Sequence, residues 1–142
     1  MTKLHFASYS EARTHFRDVL DAAQSGRVTT VQRDREKFAV VNGEVLRSQL
    51  MALVPCEVVV TAEGGGWSAF IPGTPIAGEA NDFDDAIDDL IVALREYATD
   101  WNDRLLTAPN HRMNWALVMV AELCTDDQLK EWMLRSDKAV AQ

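Results

Sequence analysis

Ser8-Tyr9-Ser10-Glu11-Ala12-Arg13, together with Val31-Gln32-Arg33 and Phe38-Ala39-Val40-Val41, decides the fold of the first part of the chain. Ser8, Tyr9 and Ser10 offer N-caps to a helix whose apolar positions, Ala12, Phe16, Val19, Leu20 and Ala23, recur with a helical period. Gly26 stands where a positive φ is wanted just past a helix end, so the helix is expected to stop near Ser25. Val28 to Gln32 and Lys37 to Val41 are rich in strand formers, and Asp34, Arg35 and Glu36 between them read as a hairpin turn. Leu4 to Ala7 is a short extended lead-in. Asn42 can cap a second helix through Val45, Leu46, Leu50 and Leu53, which Pro55 closes. The predicted order is β-α-β-β-α.

These stretches resemble the signature of the prevent-host-death (Phd/YefM) antitoxins over residues 1–53. The resemblance implies a domain that dimerises through its hydrophobic face and binds operator DNA, with a more variable C-terminal part that silences a toxin. Two positions depart from the family pattern. His15-Phe16 stands where Asn followed by Leu is common, and the hairpin turn lacks the usual Gly. Arg13 and Arg33 match residues that contact DNA in the family. Arg13 is expected near a helix N-terminus, where free N–H groups favour phosphate, with Arg17 one turn further on. Arg33, Arg35 and Lys37 ring the hairpin tip, and Lys3 completes the expected DNA-binding set; His5 and His15 could also touch DNA. Without the resemblance, each of these cations reads as an ordinary solvated charge.

Charge separates the chain into two parts. The net charge of −8 would by itself argue against nucleic acid. Residues 1–50, however, hold eight Lys and Arg against six Asp and Glu, a balance of +2. The remaining 92 residues hold six against sixteen, a balance of −10, as expected of two modules with different partners. With 47% apolar and 25% charged residues the chain can bury a core and is expected to be soluble. No apolar run approaches the roughly 20 residues of a membrane span, and no export signal is expected, so the expected location is the cytoplasm. Cys56 and Cys124 lack CxxC spacing and read as two reduced thiols, not a zinc site or disulfide framework.

Cys56 to Ala62, Trp67 to Ile71 and Ile76 to Ala80 read as three strands, with Gly64, Gly65 and Gly66 turning the first hairpin and Trp67, Ala69 and Ile71 on one face. Asn81 or Asp82 then caps a long helix with the stripe Phe83, Ala86, Ile87, Leu90, Leu94, Tyr97 and Trp101. Trp67-Ser68-Ala69-Phe70-Ile71-Pro72 and Asp82-Phe83-Asp84-Asp85-Ala86-Ile87 are similar to the HicB antitoxins, whose domain is a trimmed ribonuclease H-like fold. A helix is expected from Met113 to Leu123. Another follows a capping box at Thr125 and Gln128 and carries Leu129, Trp132 and Met133 on one face. The expected fold is α+β in three parts: residues 1–53 for DNA binding and dimerisation, a β-β-β-α unit over 54–107, and a helical hairpin over 108–142 for toxin binding or oligomerisation.

Asp82, Asp84, Asp85, Asp88 and Asp89 crowd the start of the long helix. They read first as a solvent face that stabilises the helix dipole by about 0.3 to 1 kcal/mol each, second as a docking surface for a basic toxin, and last as nuclease metal ligands. Trp115, Met119, Trp132 and Met133 read equally as partner anchors or as core, and with Asp84 and Asp88 they form the expected toxin-binding set. No histidine has a nucleophile or two-histidine metal partner. The chain is therefore expected to be an antitoxin: a homodimer or higher homo-oligomer that represses its own operon and neutralises a co-encoded toxin. No catalysis, cofactor, metal or membrane is expected. The partner classes the resemblances imply are ribonucleases of RelE type, kinase-like proteins of Doc type, or HicA. The rivals are a stand-alone transcriptional regulator whose C-terminal part senses a ligand or assembles oligomers, and a degenerate ribonuclease H-like nuclease.

Overall fold

The computed structural model describes residues 2–135 and 140–141. Residues 136–139 and 142 of the expected C-terminal part, and Met1 of the first, lie outside the described residues. The fold is mixed α+β, with two small sheets and six α-helices among the described residues. It divides into two compact units, Met1–Gln49 and Leu50–Gln142.

The first unit holds β1 (His5–Phe6), α1 (Tyr9–Thr14), α2 (Phe16–Gln24), β2 (Thr29–Arg33), β3 (Glu36–Val40) and the start of α3 (Gly43–Leu53). Its sheet runs β1-β2-β3. The β2-β3 pair is the predicted hairpin, and β1 pairs with β2 in parallel through His5↔Thr30 and Phe6↔Val31. The turn missing its glycine is solved by Asp34, which takes φ 57°, a left-handed conformation that Asp tolerates better than most residues. Gln32 Nε2 donates to the Asp34 carbonyl at 3.1 Å and closes the turn.

The single first helix expected from periodicity is two pieces. The N–H of His15 is shared between the carbonyls of Glu11 and Ala12, both at 3.2 Å, and the Thr14 hydroxyl donates back to the Ser10 carbonyl at 3.0 Å. Both contacts tighten the turn and end α1. Ser8 caps α1, as Glu11 N donates to its Oγ, and Gly26 with φ 90° follows α2 as expected. Asn42 Oδ1 accepts from the N–H groups of Glu44 and Val45 and starts α3.

The second unit holds β4 (Val59–Glu63), β5 (Gly66–Phe70), β6 (Ala77–Ala80), α4 (Phe83–Asp100), α5 (Trp115–Leu123), α6 (Asp126–Leu134) and β7 (Val140–Ala141). Its sheet order is β6-β5-β4-β7, antiparallel except for the parallel pair of β4 with β7. The first strand begins at Val59, later than expected, although Cys56 and Val58 before it are buried. Asp82 is the cap of α4, and Thr125 and Gln128 form the predicted capping box of α6. Past Asp100 the stripe continues as a π-helical turn, Trp101–Leu105, which keeps Trp101 buried with its Nε1 donating to the His111 carbonyl at 2.9 Å.

The core lies between the sheet and the helices, with Val58, Val60, Ala69, Ile87, Leu90, Leu94, Val118, Leu129 and Met133 among its members. Strand β6 lies tight against α4. A Cβ on Gly78 would stand 2.5 Å from the Leu90 nitrogen, so only glycine permits this approach. Arg95 ties the helices together: its guanidinium donates to the carbonyls of Ala121 and Cys124 at the end of α5, and its Nη2 lies 2.7 Å from Asp126 Oδ1.

Candidate functional site

In the first unit, burial is confined to a thin layer. Phe6, Ala12 and Val19 form its cluster with Val31 and Val40 packed against them. The apolar stripe read from the sequence therefore splits: Ala12, Val19 and Ala23 are buried, whereas Phe16 is 53% and Leu20 48% exposed. An apolar cavity of about 500 Å³ opens on this face, lined by Tyr9, Ala12, Arg13, Phe16, Val19, Val31 and Val40. Exposed apolar patches are where proteins commonly meet their partners.

The expected DNA-binding cations are distributed around this face and the hairpin. Arg13 is in the last turn of α1, not near a helix N-terminus, because α1 ends at Thr14. A phosphate site built on helix N–H groups is therefore lost for Arg13. Its guanidinium lies 5.9 Å from the Tyr9 ring instead. Arg17 is in the first turn of α2. Arg33 stacks over Phe38 at 5.2 Å, which holds it on the hairpin beside exposed Arg35 and Lys37. Lys3 pairs with Glu11 and lies over Phe6. His5 Nδ1 bonds Thr30 Oγ1 at 2.7 Å, and His15 Nδ1 lies 3.7 Å from Asp18 Oδ2.

The expected toxin-binding residues fall into three environments. Trp132 and Met133 are core side chains at 2% and 0% exposure, and Trp132 Nε1 donates to the Val54 carbonyl at 2.8 Å. Met119 is half-buried against that core. Trp115 is 49% exposed at the start of α5. Asp84 and Asp88 are exposed on α4 but share an internal counter-ion, Lys130 of α6, at 3.8 and 3.2 Å. The hydrogen bond to Asp88 raises the Lys130 pKa.

Pattern reading passed over the other end of the second sheet. A cavity of about 690 Å³ there is lined by Glu63, Trp67, Ser68, Glu79, Asn81 and Asp85, among others. The Trp67 ring is held edge-on against Phe83 at 5.3 Å. Asp85 has its pKa raised, chiefly by the charge of Asp82. The signal that could have found this site was in the charge pattern, since no Lys, Arg or His occurs from Ser48 to Leu94.

Among the described residues, no three His, Cys, Asp or Glu side chains could together hold a metal ion. Burial pushes the Cys56 thiol up to about 12, far from a nucleophilic thiolate at neutral pH. His111 Nδ1 is 2.8 Å from the hydroxyl of buried Tyr97, which also accepts from Asn114 Nδ2, an internal network that positions the connection between α4 and α5. No helix among the described residues is long and apolar enough to cross a membrane.

Comparison with known proteins gives one family and one structure. The family model named PHD-like, described as antitoxin of toxin-antitoxin, RelE / RelB, TA system, matches residues 1–135. The fold is similar to a crystal structure described as an antitoxin part of a proposed toxin/antitoxin system from Syntrophomonas wolfei subsp. wolfei. The two share 19% identity with a TM-score of 0.78, over 93% of this chain and 96% of that one. Among curated protein sequences, none matches.

Proposed function

The chain belongs to the PHD-like antitoxin family, and on that premise we propose that it is the antitoxin of a type II pair, repressing its own operon and neutralising a co-encoded toxin. Antitoxins of this kind are regulators, not enzymes, so the nuclease reading of the α4 carboxylates falls away. In the proposed division of labour, the Phd/YefM-like N-terminal part dimerises and reads a palindromic operator as two half-sites. The acidic, HicB-like remainder meets the toxin, which we take to be a ribonuclease, and the whole works in the cytoplasm.

The observation that carries this reading is the surface of the first unit. An uncovered apolar face with a 500 Å³ cavity stands next to a hairpin that presents Arg33, Arg35 and Lys37. A second copy closing on Phe16 and Leu20 would bury the apolar face and set two basic hairpins on one side of the dimer. That is the arrangement a two-fold operator requires. Arg13 and Arg33, held against Tyr9 and Phe38, contact DNA in this reading, with Lys3, Arg17, Arg35 and Lys37 supplying phosphate contacts.

Gel-shift titration with the DNA upstream of the gene tests the proposal. The wild-type chain should bind a palindromic segment with an affinity that falls steeply with salt. Arg13→Ala/Arg33→Ala should abolish that binding while leaving co-purification with the neighbouring gene product intact. Undiminished DNA affinity in the double variant would overturn the assignment of the first unit. Absence of a small protein that co-purifies would favour a stand-alone regulator.

A further inference from the structure

The second sheet has two unlike faces. Alternation along the strands puts Val60, Ala69 and Gly78 on the face that α4 covers, and all three are buried. Register then places Val59, Phe70 and Ala77 in one row across β4, β5 and β6 on the opposite face, with Thr61, Ser68 and Glu79 in the next. Phe70 is 43% exposed, and Ala77, Glu79, Glu63 and Glu57 are exposed as well. This face is thus an apolar row flanked by carboxylates, and it leads at its turn end into the 690 Å³ cavity shared by Glu63, Ser68 and Glu79.

Charge determines what can cover it. From Ser48 to Leu94 the chain carries eight Asp and Glu and no Lys, Arg or His. Among the described residues no cation pairs with Glu57, Glu63 or Glu79, in contrast to Asp84 and Asp88, which Lys130 already serves. A second copy presenting the same acidic face would be repelled, and so would nucleic acid. We propose that this open sheet face docks a cationic protein, apolar side chains covering Val59, Phe70 and Ala77 while an Arg or Lys enters the cavity between Glu63, Glu79 and Asp85 beside Trp67. Asp85 in the cavity wall is repelled by the charge of neighbouring Asp82, a repulsion that an incoming cation would relieve. The inference rests on the antitoxin reading for the identity of the partner, the toxin, but not for the location of the surface.

The test measures binding of the neighbouring gene product to the full chain and its variants. Glu63→Lys/Glu79→Lys should weaken the complex roughly 100-fold and Phe70→Ser roughly tenfold, whereas Glu96→Lys on α4 should change it by less than about threefold. Unchanged thermal midpoints establish that the variants fold, and Glu63→Gln/Glu79→Gln, with a smaller loss, covers the case where charge reversal does not. A complex that ignores the sheet variants but is lost in Asp84→Lys/Asp88→Lys overturns the surface and leaves the antitoxin reading standing. If no complex forms, the antitoxin reading fails, and the surface is tested with isotope-labelled chain and a short Arg- and Phe-containing peptide at low ionic strength. Amide shifts at Ser68, Phe70, Ala77 and Glu79 support it. Shifts confined to Asp84–Asp89, or none, overturn it.

Discussion

The two units solve the same burial problem with opposite results. In the second, helices and sheet enclose a core that includes Leu90, Leu94, Val118, Leu129 and Met133 at 0% exposure. In the first, the cluster is Phe6, Ala12 and Val19, and Tyr9, Phe16, Leu20 and Phe38 stay in the open. A unit of 49 residues has little interior to offer, because surface outgrows volume at that size. The difference teaches where each unit can find stability: the second in its own packing, the first, in the proposed dimer, in part from the copy that would cover its exposed face.

The strongest way to break this contrast is to remove a core side chain from the second unit. Leu94→Ala should cost about 2 to 5 kcal/mol, since Leu94 is fully buried between α4 and its neighbours. Thermal or urea unfolding followed by tryptophan fluorescence would report it, as Trp101 and Trp132 share that core. A loss below 1 kcal/mol would mean that the second unit is not self-contained.

Phe16→Ser probes the other side of the comparison. Phe16 is half exposed, so the fold of the first unit should hardly change, but an assembled dimer would lose roughly 1.5 to 3 kcal/mol of apolar burial. Sedimentation should show the dimer dissociating at concentrations more than tenfold higher than for the wild type. Unfolding of the second unit should stay where it was. A shift in unfolding with no change in association would place Phe16 in the fold rather than in an interface.

Gly78→Ala sharpens the picture of the second unit at the level of a single methyl group. The added Cβ meets backbone atoms of Asp89 and Leu90, which cannot rotate away. The expected cost is about 1 to 3 kcal/mol, paid by a shift of β6 away from α4. Loss of protection at the Glu79 amide, which donates to Asp89 Oδ2 at 2.9 Å, would localise the damage.

Much of this was legible in the sequence, and what was not follows a pattern. Caps and turns are local, so Ser8, Asn42, Asp82 and the Thr125 and Gln128 box could be read directly. Strand β1 is two residues long, and its parallel pairing with β2 depends on a partner more than twenty positions away. The break at His15 depends on a shared hydrogen bond that periodicity does not record. At the candidate sites, helical spacing placed Trp115 and Trp132 alike, and only packing separates an exposed ring from one that bonds the Val54 carbonyl. The acids on α4 drew attention because they are contiguous. Those at the sheet cavity, Glu63 and Glu79, are far apart in sequence and come together only through strand register.

The smallest effect tests electrostatics within the first unit. At the start of α3, the Glu44 carboxylate accepts hydrogen bonds from Arg47, and that contact, with its charge, lowers the Glu44 pKa below the usual value. A lowered folded pKa means that the unfolded chain binds the proton more readily, so the pair's contribution is present above the ordinary glutamate range and fades as pH falls through the folded value. Glu44→Gln should therefore be slightly less stable than the wild type near neutrality and equal to it in acid. The gap should shrink with added salt, because Glu44 is 70% exposed and solvent screens the pair. A difference that persists in acid would point to the Gln side chain disturbing the Asn42 cap two residues away rather than to charge.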